Sequence, residues 1–415
     1  MEIKRDRYLN KLTSRELNGS VKVITGIRRC GKSYLLFHLF KDCLLGKGVP
    51  KDHIIEVALD DIKNKHLRDP GALYDFISRS VGDGQYYVFL DEIQYVDGFE
   101  DAVNGLRHID NLDIYITGSN SKFLSKDVIT EFRGRGDQVE VRPLSFSEFA
   151  SAYPGDRESA WDAYRTYGGM PEIISKKTEE EKTQYLQKLM NEVYLRDIVE
   201  RNRVELEDVL GLITDSLCSA VGSMTNPLRI CNTLGTLGYK RADNETVSKY
   251  IGYLTDSFLF EKSRRYDIKG RKYFDTPSKY YAADAGLRNA RLNFRQQEYT
   301  HIMENIVYNE LRSRGFLVDI GVIETTAKKD GVSERKRLEI DFVANKGSKK
   351  YYIQSAYSIP DREKADQEIR PFLKVRDSFK KIVITGDRLL PQRDENGILT
   401  MNILDFLLNE DSLDI

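Results

Sequence analysis

Cysteine is scarce in this chain, four residues in 415, and neither sign of charge prevails: 64 Lys and Arg face 65 Asp and Glu, for a formal net charge of −1. Each shortage excludes something. Cys30, Cys43, Cys218 and Cys231 form no CxxC pair and have no histidine at metal-ligand spacing, which argues against zinc and leaves reduced thiols, mostly buried. With charge in balance, no bulk basicity announces nucleic acid, and any such surface has to be local. Long hydrophobic runs are missing too. Nothing approaches the roughly 20 apolar residues of a membrane helix, and the opening MEIKRDRYLN lacks the apolar core of a signal peptide. No membrane partner and a cytoplasmic location are therefore expected. Repeats and low-complexity tracts are absent as well.

What remains is a globular composition, 40% hydrophobic and 31% charged, in a chain long enough for two or three domains. Its most informative segment is GIRRCGKS, residues 26–33, a complete GxxxxGKS phosphate loop. It follows the apolar run Val21, Val23, Ile24 and precedes the helical run from Tyr34 to Phe40, the two flanks that such a loop requires. The glycines let the chain bend so that backbone N–H groups point inward at a polyphosphate. Lys32 is placed to reach the β- and γ-phosphates, and Ser33 to hold Mg²⁺ through its hydroxyl. The expected nucleotide contacts are Gly26, Ile27, Arg28, Arg29, Cys30, Gly31, Lys32, Ser33 and Tyr34. The position of Cys30 beside Lys32 raises the question of a depressed thiol pKa. The plainer reading is a small residue that fits the turn.

Downstream, Tyr86 to Leu90 is an apolar run ending in Asp91 and Glu92, the Walker B pattern. Asp91 is expected to bind Mg²⁺ through a water ligand, and Glu92 to polarise the attacking water as general base. After the run Ile114 to Ile116, the segment Thr117, Gly118, Ser119, Asn120 supplies polar side chains where a γ-phosphate sensor would sit, Asn120 first and Ser119 second. A turn is the alternative for TGSNS, so the sensor reading depends on which strands neighbour one another. Arg133 and Arg135 follow at a plausible subunit edge. A guanidinium delivered to a neighbour's γ-phosphate would stabilise transition-state charge; Arg135 is preferred, and a homo-oligomer is the matching expectation.

The alternation of β-type runs (21–25, 54–59, 86–90, 114–117, 139–141) with helical patterns predicts an α/β fold, a P-loop NTPase parallel sheet with a helical extension. A P-loop ATPase domain is assigned to residues 1–150. Residues 151–202 form a helical lid or linker, interrupted by the Gly-Pro hinge at Tyr167 to Pro171. Residues 203–295 read as a winged helix: helices around 228–234 and 245–254 joined by a Gly-bearing turn, then a hairpin, 259–266 and 272–274, as the wing. Asn244, Thr246 and Lys249 would face a major groove, with Lys262, Arg264, Arg265, Lys269, Arg271 and Lys272 around the wing, so DNA is a candidate partner. Residues 296–415 have the order of a restriction-endonuclease-like α/β domain: Glu304 on a helix, Asp341 in LEIDFVA, then YYIQSAY. Active members of that fold carry (D/E)xK at the last element. Gln354, Ser355 and Ala356 stand there instead, so an inactive relative is expected. Lys349 or Lys350 could substitute in principle, but each reads as a solvated residue at a strand entry.

With these residues in place, the chain resembles the bacterial and archaeal AAA family ATPases in which a P-loop domain of AAA_14 type precedes a DUF4143-type C-terminal region. The likeness rests on RYLNKL, VITGIRRCGKS, FLDEIQ, ITGSNS, the GR of FRGRGD, RPLSFSEF, YGGMPE, YLRDIVER and KYYAADAGLRNA, which span nearly the whole chain. It implies Mg²⁺-dependent ATP hydrolysis with Lys32, Ser33, Asp91, Glu92 and Asn120 in the roles above, while Arg28 and Arg29 resemble the arginines of initiator-type ATPases. The leading expectation is an ATPase whose nucleotide state moves the C-terminal modules. A slow ATP-dependent switch with a protein partner comes second, and an ATP-coupled nuclease third.

Overall fold

The computed structural model describes residues 3–118, 136–239, 241–296, 298–329 and 332–415, with side chains described outside 326–336. The chain divides into two compact units, Met1–Pro143 with Asp256–Phe258, and Leu144–Thr255 with Leu259–Ile415. Among the described residues no helix is long and apolar enough to cross a membrane.

In the first unit, strands β1 (Val21–Thr25), β2 (Ile54–Ala58), β3 (Tyr86–Asp91), β4 (Leu112–Thr117) and β5 (Gly136–Glu140) form one sheet in the order β2-β3-β4-β1-β5. Every pairing is parallel. All five residues of β1 and all six of β3 are buried, as near-continuous apolar runs require when helices cover both faces. On one face Val88 and Leu90 join a core with Leu73, Ile77, Val103 and Leu106. The opposite face carries Phe89, whose ring lies 5.7 Å from Phe40, on the helical run after the phosphate loop, and 5.5 Å from Tyr115. This alternation clamps β3 between two helical layers and fixes where its carboxylate end emerges.

The second unit begins with a capping box: Glu148 N–H donates to Ser145 Oγ at 3.3 Å, and Ser145 N–H donates to Glu148 Oε2 at 2.8 Å, starting the helix Phe146–Ala152. Further helices include Arg157–Tyr167, Glu207–Ser219, Pro227–Thr236 and Asn244–Asp256. Its sheet contains β6 (Phe260–Asp267), β7 (Lys272–Ala282), β8 (Leu317–Lys329), β9 (Val332–Lys346), β10 (Lys349–Ala356), β11 (Lys380–Thr385), β12 (Gln392–Arg393) and β13 (Leu399–Asn402). Their order is β12-β13-β11-β10-β9-β8-β6-β7.

The hairpin taken for a wing is the edge of this mixed sheet: β6 pairs in parallel with β8 through Arg265↔Ile320, Tyr266↔Gly321 and Asp267↔Val322. Exposed strand edges seek partners, and β8 offers one. Arg265 accordingly leaves the proposed basic patch, since it is buried and donates to the carbonyls of Pro277, at 2.9 Å, and Thr276. The Gly-Pro segment is also an anchored interlock where a hinge was expected. Gly169 N–H donates to Asp284 Oδ2 at 2.6 Å. A Cβ on Gly168 would lie 2.1 Å from the Asp284 carboxylate, and one on Gly286 2.0 Å from the Tyr167 carbonyl oxygen. Only glycines allow this approach, so YGGMPE and DAGLRN are two halves of one joint.

Candidate nucleotide site and a second acidic centre

The phosphate loop leaves β1 at Gly26, φ +134, where a Cβ would lie 1.9 Å from the Val141 carbonyl oxygen. Arg29 and Gly31 take positive φ as well, +60 and +99. Such left-handed residues within a tight turn aim successive N–H groups into one concavity, which is an anion nest. A Cβ added at Gly31 would meet nothing within 4 Å, so the loop is open there. Leu35 N–H then donates to Gly31 O at 2.9 Å and commits the chain to the helix. Lys32 is buried, with its ammonium donating to the carbonyls of Gly26 and Ile27 at 3.0 and 3.1 Å. Two of its three N–H donors are thus used within the loop. Arg28 is half-buried, while Arg29 and Tyr34 are exposed.

Cys30 is buried, and its thiol donates to Val141 O at 3.3 Å. Burial pushes its pKa up, outweighing the nearby charges of Lys32 and Arg5. Desolvation thus works against a depressed pKa, and the burial of Cys30 in the turn favours the reading of a small residue that fits it. Sequence reasoning missed the brace beneath this loop. Arg5 donates to Cys30 O at 3.3 Å and to Arg142 O at 2.6 Å, and the Tyr8 hydroxyl accepts from Arg142 N–H at 3.1 Å. Tyr8 lies in RYLNKL; nothing in that motif's composition announces what it holds.

The Walker B end comes together around Asp91, which is only 5% exposed. Burial raises its pKa, while hydrogen bonds from the Thr117 and Ser33 hydroxyls lower it. A carboxylate and a hydroxyl from two motifs nearly 60 residues apart thus share one spot. That is the hard-oxygen donor set Mg²⁺ takes. Glu92 adopts φ +50, ψ +50, a left-handed conformation that costs a non-glycine residue energy and often marks a functional position. Its N–H donates to Thr117 Oγ1 at 3.0 Å, and its carboxylate accepts from the Gln94 amide. Because β4 lies between β1 and β3, Thr117 stands between the phosphate loop and the Walker B acids. Asn120, Ser119, Arg133 and Arg135 lie outside the described residues.

In the second unit, Glu304 on the helix Tyr299–Ser313 and Asp341 on β9 do converge, and a lysine that sequence reasoning overlooked joins them. Lys279 on β7 donates to Glu304 Oε1 at 2.9 Å, pairs with Glu339 at 2.7 Å and lies 3.8 Å from Asp341. The Tyr281 hydroxyl donates to Glu304 Oε1 at 2.7 Å, and Ser355 N–H to Asp341 Oδ2 at 2.9 Å. Burial, reinforced by Glu304, pushes the Asp341 pKa up to about 8. Burial opposes the Lys279 ammonium, but Glu304, Asp341 and Glu339 together outweigh it and raise its pKa. Gln354 accepts from Asp341 N–H at 3.3 Å, and Ala356 is buried in the core. Lys349 is remote from this chemistry and pairs with Asp414 at 2.6 Å; Lys350 lies over the Tyr352 ring, 4.9 Å from its centroid.

A parallel sheet with a phosphate loop after β1, a buried acid at the end of β3 and a polar strand end between them defines a P-loop NTPase domain of AAA type, and residues 18–150 match the family described as "AAA domain". Residues 158–298 match a "Domain of unknown function (DUF8612)", where the resemblance had implied a DUF4143-type region. The whole chain belongs to the family of an uncharacterized protein of Haemophilus influenzae, to which it is 34% identical over 413 residues, 98% of each chain. An uncharacterized protein of Methanocaldococcus jannaschii is 29% identical over 376 residues, covering 87% of this chain and 79% of its own. Among solved structures, similarity extends to the Aeropyrum pernix ORC1 protein in complex with DNA (14% identity, TM-score 0.31, 71% of this chain and 93% of that one). It extends also to AMPPCP-bound DnaA from Aquifex aeolicus (16% identity, TM-score 0.31, 60% and 86%).

Proposed function

We propose that the first unit binds ATP with Mg²⁺ at the loop 26–33 and hydrolyses it, and that the nucleotide state is relayed to the second unit. The observation that carries this reading is the meeting of Ser33, Asp91, Thr117 and Glu92 at one corner of the sheet. When bound, Mg²⁺ would neutralise developing phosphoryl charge, held by Ser33 directly and by Asp91 through water. Lys32 supplies a positive charge from within the loop, and the nest of backbone N–H groups orients the β-phosphate. Glu92, displaced into a strained conformation, is positioned to accept a proton from the attacking water. Asn120 as sensor and Arg135 as a finger acting on a neighbouring copy in a homo-oligomer complete this reading.

A steady-state hydrolysis assay tests it. Glu92→Gln should lower turnover by about 10²–10⁴-fold, the range for losing a general base, while ATP affinity holds. Equal turnover in that variant and in the parent would sink the assignment. The grip of Gln94 on the Glu92 carboxylate favours a second reading, a slow switch in which the base is restrained until a partner acts. Under it Gln94→Ala turns over faster than the parent; an unchanged rate removes it.

For the second unit we propose a DNA-facing role. Its support is that Lys262, Arg264, Lys269, Arg271 and Lys272 are exposed on the β6–β7 hairpin, a local cationic surface on an otherwise balanced chain. The region 296–415 is read as a nuclease-like domain without cleavage. DNA-stimulated turnover that charge reversal of Lys269 and Arg271 abolishes would support this role, and DNA binding unaffected by that reversal would remove it.

A further inference from the structure

The centre around Lys279 is an unusual object: three carboxylates, from a helix and a strand, turned toward one buried ammonium. Lys279 is 3% exposed, and Glu304 and Asp341 are 6% and 8% exposed. The ammonium comes from the edge strand β7, outside the segment that carries the acids, and reaches Glu304 across 25 residues of sequence. Further donors serve the acids: the Tyr281 hydroxyl for Glu304, and the Ser355 N–H for Asp341. Among the described residues no group of three His, Cys, Asp or Glu side chains is spaced to hold a metal ion. The separations of 2.7–2.9 Å from Lys279 Nζ to Glu339 and Glu304 are those of an ammonium–carboxylate pair, whereas a divalent ion draws oxygens to about 2.0–2.6 Å. Charge tells the same story. Buried acids persist when a cation sits among them, and here the chain provides its own.

We propose that Lys279 is the resident cation of this centre, standing where a divalent ion would otherwise sit, so that the second unit keeps its acidic cluster assembled without metal. Removing the ammonium leaves Glu304, Glu339 and Asp341 facing one another across a cavity the size of a lysine head. Once the ammonium is gone and these side chains close in, their oxygens suit a hard divalent cation, and Glu339, 38% exposed, opens a way in. The lysine therefore both stabilises the centre and excludes metal from it. This inference does not depend on ATP hydrolysis by the first unit.

The test uses the full chain without nucleotide, carrying Asp91→Asn so that Mn²⁺ at the loop does not interfere. Mn²⁺ binding is read by electron paramagnetic resonance, and thermal unfolding is followed with Mn²⁺ or EDTA. In that parent, adding Asp341→Asn should change neither Mn²⁺ uptake nor the Mn²⁺ response of the unfolding midpoint. Lys279→Ala should take up one additional Mn²⁺ and unfold at a higher temperature with Mn²⁺ than with EDTA, and Asp341→Asn should cancel both gains. Lys279→Arg, which keeps the charge, should behave as the parent does. Asp341-dependent Mn²⁺ uptake in the parent overturns the proposal, as does a folded Lys279→Ala chain that takes up none. If Lys279→Ala does not fold in EDTA, refolding becomes the readout. Recovery in Mn²⁺ supports the resident-cation role, and equal failure in Mn²⁺, Mg²⁺ and Ca²⁺ overturns it.

Discussion

Two buried carboxylates, one in each unit, have had their protons held more tightly by desolvation, and the protein answers each differently. Asp91 is met by neutral hydroxyls, Thr117 and Ser33, whereas Asp341 shares a pocket with the Lys279 ammonium and two further acids. Among the described residues, the first arrangement meets its acid with hydroxyls alone; the second is closed by an internal counter-ion. An acid left in this state is a liability for stability and an asset for metal binding, and the contrast is the one expected between the site proposed to take a ligand and the one proposed to be sealed by the chain.

The sharpest way to break that contrast is to neutralise Asp91. Asp91→Asn should lower ATP turnover on the order of 10³-fold, since positioning a catalytic metal is worth several kcal/mol. The thermal midpoint should hold or rise, because a buried charge has gone. A lower midpoint with intact turnover would reverse the roles assigned to the two centres. Next in size is Lys279→Met in the second unit. Taking one partner from a buried ion pair costs about 3–5 kcal/mol, so chemical denaturation should show a loss on that scale, and ATP affinity should not move. A loss below 1 kcal/mol would mean that the acids are not held by this ammonium.

A smaller effect, also confined to the second unit, follows from Asp284. Burial pushes its pKa up from an ordinary 3.8 to about 6, against hydrogen bonds from the Gly169, Leu287 and Gly286 backbone. Between those values the native state keeps a proton that the unfolded chain has lost. Stability is therefore greatest below pH 4, falls as pH rises to about 6 and is level above, by up to about 3 kcal/mol from this residue alone. Denaturation of the parent and of Asp284→Asn at pH 4, 5, 6 and 7 checks it: the difference between them should slope only across that window.

How much of this was legible in the sequence depended on how far apart the cooperating residues lie. The phosphate loop and the end of β3 were readable because their chemistry is contiguous: the glycines, Lys32 and Ser33 fall within eight residues, and Asp91 and Glu92 end one apolar run. Parallel strands between helices followed from the same local patterning. Lys279 was not readable, because its partners come from a helix and a strand later in the chain, and no spacing rule connects them. The hairpin 260–282 was recognisable as a hairpin, but its pairing with β8 is a long-range choice, so it was misread as a wing. YGGMPE and DAGLRN were noticed as motifs, yet their docking joins residues 115 apart. Seen singly, a glycine pair suggests a hinge. Only the Asp284 carboxylate shows it to be a lock.

The mildest perturbation tests whether the first centre owes its openness to hydroxyls in particular. Thr117 Oγ1 hydrogen-bonds Asp91 and accepts from the Glu92 N–H, so a single hydroxyl links the acid expected to hold the metal to the acid expected to move a proton. Thr117→Val keeps the shape and removes both bonds. Losing them leaves a buried carboxylate with one fewer partner and frees Glu92 from its left-handed turn, each worth on the order of 1 kcal/mol. Turnover should fall about tenfold, which corresponds to 1.4 kcal/mol. ATP affinity should stay within twofold, since Thr117 lies on β4 and the loop 26–33 is untouched. A parallel fall in affinity would place the hydroxyl in ground-state binding. Unchanged turnover would show that Asp91 and Glu92 work independently and that Ser33 alone keeps the site open.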